Sequence, residues 1–344
     1  MSPRRSPGLA DVAAQAGVSA SLVSRILSKD PTLRVRPETR DRVLEAASRL
    51  HYVPHGAARA LRLSRAGALG LVVHDVSNPI HAEIIRGAQG AAAEAGQVLL
   101  LAEAAMLASN TPAFDQLLGD GRIDALLWHG GGHDFDDELS ARAAERLPTL
   151  LVNSRSRAGV PAIRLADDRA AGMAVDHLVG LGHREVGYVG GRPGSDLTVR
   201  RRAGWAETLG RHGLPVRDEW VVERDWDAEA GYAAATQLLS REDRPTSLFV
   251  ANVVICVGAL AAARDLGIRV PDELSVVAVH DVWFAAHDAP PLTTVRLPLQ
   301  DMGRRAVELL LDGQVSGVGE PASEYVLDEP APLLVTRAST APPP

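Results

Sequence analysis

Between residues 9 and 50 the apolar positions recur at helical spacing. Val12, Ala13 and Ala16 share one face of Leu9–Ala16. Val23, Ile26 and Leu27 share one face of a segment from Ala20 to about Leu27. Val43, Ala46, Ala47 and Leu50 share one face of a segment from Pro37 to about Leu50. Gly17-Val18-Ser19 separates the first two segments: Gly17 suits a tight turn and Ser19 suits a helix N-cap. Pro37 suits the first position of the third. The outer side of the second segment is polar, with Ala20, Ser21, Ser24, Arg25 and Ser28. Two short helices joined by a glycine turn form a helix-turn-helix, whose second helix enters the DNA major groove.

Beyond Gly67 the pattern becomes strands alternating with helices. Strands are predicted at 68–73, 98–102, 125–128 and 150–152, with helices at 80–95 and 136–146. A second set begins near Ala162, with helices at 169–181, 199–212 and 229–240 and strands at 186–189, 221–223, 247–251 and 276–279. Such alternation implies doubly wound parallel sheets, here in two subdomains, and ligands bind such sheets at the C-terminal strand edges or in the cleft between domains. The predicted class is α/β, with an all-α head.

The chain has 344 residues, enough for about two domains with sizeable cores. Its net charge of −7 is unevenly spread. Residues 1–65 hold 12 Lys+Arg against 5 Asp+Glu, and the remainder holds 24 against 38. A basic head on an acidic body points the head, and not the body, at a polyanion. A lone cysteine, Cys256, allows no intramolecular disulfide, and its apolar, helix-like surroundings make it a small buried hydrophobe. No apolar run reaches the ~18 residues of a membrane helix, and the basic N-terminus lacks the apolar core of a signal peptide. A cytoplasmic, nucleoid-associated protein without membrane contact is expected.

The motifs carry a resemblance over nearly the whole chain, from about Leu9 to Thr340. LADVAAQAGVS (9–19), VSRIL (23–27), PETRDRV (37–43), HYVP (51–54) and AARAL (57–61) resemble the headpiece of the lactose/galactose repressor (LacI/GalR) family in order and spacing. DVSNP (75–79), HLVGLGHR (177–184), PPLTTV (290–295) and LVTRAST (334–340) resemble its core motifs. The resemblance implies a head over 1–56, a hinge helix and linker over 57–66, and a type I periplasmic-binding-protein-like core over 67–344. The two core subdomains are expected at about 67–162 with 296–322 and 163–295 with 323–340. It implies a homodimer on a palindromic double-stranded operator, a repressor controlled by a small effector such as a sugar, and no cofactor. In the head it assigns base contacts to Ala20, Ser21 and Arg25, and a minor-groove wedge to Leu61. Backbone or hinge contacts fall to Ser19, Ser24, Arg34, Tyr52, Arg59 and Arg62. The guanidinium of Arg25 has the fork that reads a guanine bidentately. Gly8, Leu22, Arg36 and His55 depart from the family pattern. Gly56 costs a hinge helix ~1 kcal/mol relative to alanine, so the hinge is expected to fold only on DNA.

In the core the resemblance assigns effector contacts to Ile80, His81, Asn153, Arg201, Trp226, Asn252 and His280. The family often has two aromatics at Ile80 and His81, Asp at Val253, and its ligand aspartate at His280. Asp281 is the candidate substitute for that carboxylate; without it the prior for a common hexose weakens. His81 and His280 make pH sensitivity an expectation. The rival readings are a cytoplasmic small-molecule-binding protein and an α/β enzyme with a basic head. His129-Gly130-Gly131-Gly132 is similar to an oxyanion-hole loop, but no G-x-S-x-G accompanies it. His129, His133, Asp134, Asp136 and Asp137 fit no standard metal-ligand spacing and read as a solvated acidic loop. Gly180-x-Gly182 lacks a third glycine and follows a helix. No catalytic residue or metal ligand is assigned.

Overall fold

The computed structural model describes residues 7–27, 30, 32–52, 66–119, 121–155, 159–315 and 323–344. The chain divides between Ala66 and Gly67 into two units. The expected hinge, with Gly56, Arg59, Leu61 and Arg62, lies outside the described residues.

The first unit contains three helices: α1 (Leu9–Ala16), α2 (Ala20–Leu27) and α3 (Pro37–Arg49). Gly8 has no side chain to cap α1. Instead its backbone N–H donates to Asp11 Oδ2 at 2.7 Å, which anchors the helix entrance. Gly17 ends α1 in the left-handed conformation at φ 64°. Ser19 Oγ accepts the Leu22 N–H at 3.2 Å, as an N-cap should. Val12, Val23, Ile26, Val43 and Ala46 form a small core, with Leu22, Leu27, Leu50 and Tyr52 packed around it.

The second unit is built from two six-stranded sheets. The first contains β1 (Ala68–Val73), β2 (Val98–Glu103), β3 (Ala125–His129), β4 (Thr149–Val152), β5 (Ala162–Leu165) and β11 (Glu324–Leu327), in the order β11-β5-β4-β3-β1-β2. All its pairings are parallel. The second contains β6 (Val186–Gly190), β7 (Val221–Glu223), β8 (Ser247–Val250), β9 (Ser275–Val279), β10 (Thr293–Arg296) and β12 (Leu333–Val335), in the order β12-β10-β9-β8-β6-β7. Only β12 runs antiparallel to its neighbour.

Nine α-helices are described in this unit: α4 (Pro79–Glu94), α5 (Ala104–Ser109), α6 (Thr111–Leu118), α7 (Asp134–Ala144), α8 (Asp167–Gly180), α9 (Asp196–Arg211), α10 (Ala228–Leu239), α11 (Val253–Asp265) and α12 (Leu299–Leu311). Helices α4 and α12 cross where Gly87 and Gly303 face backbone. A Cβ at Gly87 would lie 1.9 Å from the Gln300 carbonyl oxygen, so only glycine permits this approach. The central strands are wholly buried, as parallel strands covered on both faces must be.

Two subdomain boundaries differ from expectation. Residues 162–165 do not open the second set: Ala162 and Ile163 pair with β4, so the crossover follows Leu165. Residues 324–327 likewise stay with the first sheet, paired to β5, and the chain changes sheets only before β12. Both strands have four residues and pair with each other across distant segments, so no local periodicity assigns them to a sheet.

Candidate functional site

In each sheet the strand order reverses at one place, between β1 and β3 in the first and between β6 and β8 in the second. Such switch points open a crevice at the C-terminal strand edges. One cavity, of about 40 Å³, is lined from both. The first subdomain contributes His74 after β1, Asn78, Ile80 and His81 at the start of α4, His129 to Gly131 at the end of β3, and Asn153 after β4. The second contributes Leu197 and Arg201 on α9, Trp226 after β7, Asn252 at the cap of α11 and His280 after β9.

Seven of the expected effector contacts therefore meet: Ile80, His81, Asn153, Arg201, Trp226, Asn252 and His280. Asp281 does not join them. Its carboxylate takes Arg296 Nη2 at 2.5 Å, Arg337 Nη2 at 2.7 Å and Thr294 Oγ1 at 2.9 Å, away from the cavity. Burial pushes the Asp281 carboxyl up, but these three donors hold it below the usual value. It replaces no missing ligand aspartate.

Arg201 is 1% exposed and needs a buried counter-charge. Asp167, at the first position of α8, supplies it. Asp167 Oδ1 accepts Arg201 Nε at 2.8 Å and Nη2 at 2.6 Å, and Oδ2 accepts Arg200 Nη1 at 2.5 Å. Burial pushes this carboxyl up, but the charges of Arg201 and Arg200 outweigh burial and hold it down to about 2. Arg201 also donates to the Ala251 carbonyl at 2.5 Å and to His280 Nε2 at 2.9 Å. Sequence reasoning missed Asp167, His74, Asn78 and His129. The first pairs across 34 positions and has no local signal. The histidines could have been found as the residues closing β1 and β3 at a switch point.

Trp226 donates its indole N–H to the Gly131 carbonyl at 3.2 Å, so it joins the two subdomains. Its ring lies against Gly191, where a Cβ would come within 2.3 Å. Arg192 makes a second link across the cleft, with Nη2 3.4 Å from His133 Nε2. The acidic segment after β3 is not simply solvated. Asp136 is buried and accepts the Trp128 indole N–H at 3.0 Å and the His133 backbone N–H at 2.9 Å.

His81, His129, His177, His183 and His280 all titrate below the ordinary 6.5, chiefly because burial disfavours the charged ring. As pH falls through that value, the unfolded chain takes up protons that the native core refuses, so stability falls. Glu223, raised by burial, acts the other way but is outnumbered. The urea midpoint is expected to be lower at about pH 5.5 than at about pH 7.5. Equal midpoints would contradict this electrostatic description.

In the head, Ala20 and Ser21 are exposed on α2, Ser24 and Arg25 are half-buried, and Arg34 is exposed before α3. Arg25 Nε donates to Asp30 Oδ2 at 2.8 Å and its Nη2 to Thr32 Oγ1 at 3.3 Å. The Arg25 contact, aided by Thr32, holds the Asp30 carboxyl down to about 2. Tyr52 packs on the head core. Among the described residues no helix is long and apolar enough to cross a membrane.

Known proteins share this arrangement. Residues 8–55 match the family of bacterial regulatory proteins, lacI family, and residues 175–340 match a periplasmic-binding-protein-like domain. The HTH-type transcriptional repressor PurR of Yersinia pestis (strain Pestoides F) is 31% identical over 335 residues, 96% of this chain and 96% of that protein. The lac repressor dimer bound to operator and the anti-inducer ONPF is similar with a TM-score of 0.82 at 26% identity, covering 98% of this chain and 100% of that one. A LacI family regulator from Mycobacterium smegmatis gives 0.73 at 36% identity, covering 80% and 100%. The transcriptional regulator CelR in complex with cellobiose gives 0.71 at 27%, covering 97% and 99%. Helix-turn-helix head, paired parallel sheets and near-full-length identity agree, and the chain belongs to the LacI family of bacterial transcription regulators.

Proposed function

We propose that the protein is a cytoplasmic repressor whose operator affinity is set by a small metabolite held between the two core sheets. The observation that carries this reading is the cavity. It draws on both sheets, at the switch point of each, in a chain whose head is a helix-turn-helix. A ligand there touches both subdomains and so favours one relative position of them over another. The change reaches DNA through residues 57–66, with Leu61 as the minor-groove wedge and Arg59 and Arg62 on phosphates. Ala20, Ser21 and Arg25 read bases, while Ser19, Ser24, Arg34 and Tyr52 set the head on the backbone.

A homodimer on a palindromic operator fits this scheme, since one head reads one half-site. The solved lac repressor relative is a dimer bound to operator. The edge strand β2 exposes Val98, Leu100 and Leu101, an apolar surface suited to a second copy. The cellobiose complex of CelR supports a saccharide-sized effector. The protein acts by binding, and no turnover is assigned to it.

The test is a DNA titration with the full chain. Two protomers should bind each palindromic operator, and log affinity should fall linearly with log salt as phosphate contacts release counterions. Binding of one protomer per operator, or no preference for the palindrome over random DNA, would overturn the dimeric repressor.

A further inference from the structure

The cavity offers hydrogen-bond donors but, among the described residues, no carboxylate acceptor. Its three amides are turned the same way. The backbone N–H of Ile80 donates to Asn78 Oδ1 at 3.1 Å, that of Leu165 to Asn153 Oδ1 at 3.2 Å, and that of Val254 to Asn252 Oδ1 at 2.6 Å. A backbone N–H has only a proton to give. Each amide is therefore fixed in orientation, its oxygen already accepting one bond and its NH2 left to donate.

His280 is fixed by the same logic. Its Nε2 faces Arg201 Nη2, and a guanidinium never accepts, so Nε2 holds the lone pair and Nδ1 the proton. His280 is 3% exposed, and among the described residues its Nδ1 has no partner. A buried donor without an acceptor is a cost that a ligand can remove.

The nearby carboxylates are committed elsewhere. Among the described residues no Asp or Glu side chain lines the cavity. Asp167 is taken by Arg200 and Arg201, and Asp281 by Arg296 and Arg337. A neutral polyol would bring one proton per hydroxyl into this space, each in need of an acceptor. A carboxylate or phosphate brings acceptor oxygens and takes charge-assisted bonds from the donors present.

We propose that the effector carries an anionic group, a carboxylate or a phosphate, received by the side-chain amides of Asn78, Asn153 and Asn252 and by the Nδ1–H of His280. This deepens the repressor reading and rests on the cavity being the effector site. It also has a consequence for protons. With Arg201 balanced by Asp167, an entering anion is uncompensated. His81 is the group placed to respond. Its Nδ1 donates to the Asp75 carbonyl, so Nε2 holds the lone pair. The charged or titratable groups facing it are His74, Asp75 and His129, and Arg201, Asp167 and His280 lie beyond. Anion binding should therefore raise the affinity of His81 for a proton from its burial-lowered state and take up protons.

The test uses the full-length protein and matched sets sharing a carbon skeleton: glucose, gluconate and glucose 6-phosphate, then galactose, galactonate and galactose 6-phosphate. Melting temperature and operator affinity are the readouts. At least one acid or phosphate should bind tenfold or more tightly than its parent sugar, and calorimetry in two buffers of different ionisation enthalpy should show proton uptake. The separate arms tell carboxylate from phosphate. Asn252→Asp keeps the oxygen that caps α11 but replaces the donor with a negative charge. It should weaken anion binding at least tenfold without lowering the melting temperature of the free protein. A parent sugar that binds and changes operator affinity while its acid and phosphate do not would keep the effector reading and overturn the anionic one. Silence of every compound in both readouts would overturn both.

Discussion

Asp167→Ala is expected to destabilise the core by about 3–5 kcal/mol, the usual cost of leaving a buried charge without its partner. Asp167 is fully buried, and it faces Arg201, which is 1% exposed, and Arg200, whose side chain is 12% exposed. Arginine stays protonated under all relevant conditions, so the unpaired charge cannot be shed by titration. The loss should appear as a lower urea midpoint for the second unit, with the helical signal of the head unchanged. The exposed pair between Arg304 and Glu94 provides the contrast. Glu94→Ala should leave the midpoint where it was, because solvent screens that pair. A cost below about 1 kcal/mol for Asp167→Ala would mean that water or a rearranged side chain reaches Arg201, and the cavity's electrostatics would need redrawing.

Arg25→Ala should lower operator affinity by about 1–3 kcal/mol and relax sequence preference at one base pair. Arg25 is the residue on the polar side of α2 with a guanidinium fork. Its contacts with Asp30 and Thr32 hold that fork in place before DNA arrives, which lowers the entropy lost on binding. Arg34→Ala makes the comparison informative. A phosphate contact has no sequence to read, so Arg34→Ala should weaken all DNA alike and reduce the salt slope by about 1. If Arg25→Ala behaved in that uniform way, Arg25 would be a backbone contact and the base-reading role would pass to another residue of α2.

Much of this molecule is legible in its residue order, for identifiable reasons. The head follows from three apolar faces at helical spacing, bounded by residues with a clear conformational role, such as Gly17 at the end of α1 and Pro37 at the start of α3. The core follows from short apolar runs alternating with helices. Seven cavity residues follow from motif: six sit just beyond strand ends or at helix starts, where a doubly wound sheet presents ligand groups, and Arg201 lies in the second turn of α9. Asp281 was misplaced for a physical reason. It adjoins His280, but successive side chains leaving a strand point to opposite sides, and His280 itself adopts a left-handed backbone at φ 77°. Asp167 was invisible because its meaning lies in two arginines on another helix. The edge strand β11 was invisible because it has four residues and takes its partner β5 from a segment far away in the chain.

The central claim is that a metabolite in the cavity sets operator affinity. Fluorescence anisotropy on a palindromic operator, selected from random DNA by the full-length protein, tests it most directly. The titration is run with and without whichever sugar, sugar acid or sugar phosphate raises the melting temperature most, and again with Trp226→Ala, which removes the bond to Gly131 across the cleft. The predicted result is a change of at least about tenfold in operator affinity, equivalent to about 1.4 kcal/mol, that Trp226→Ala diminishes. Operator affinity that stays constant while the metabolite visibly stabilises the core would contradict the account, since binding would then be uncoupled from DNA.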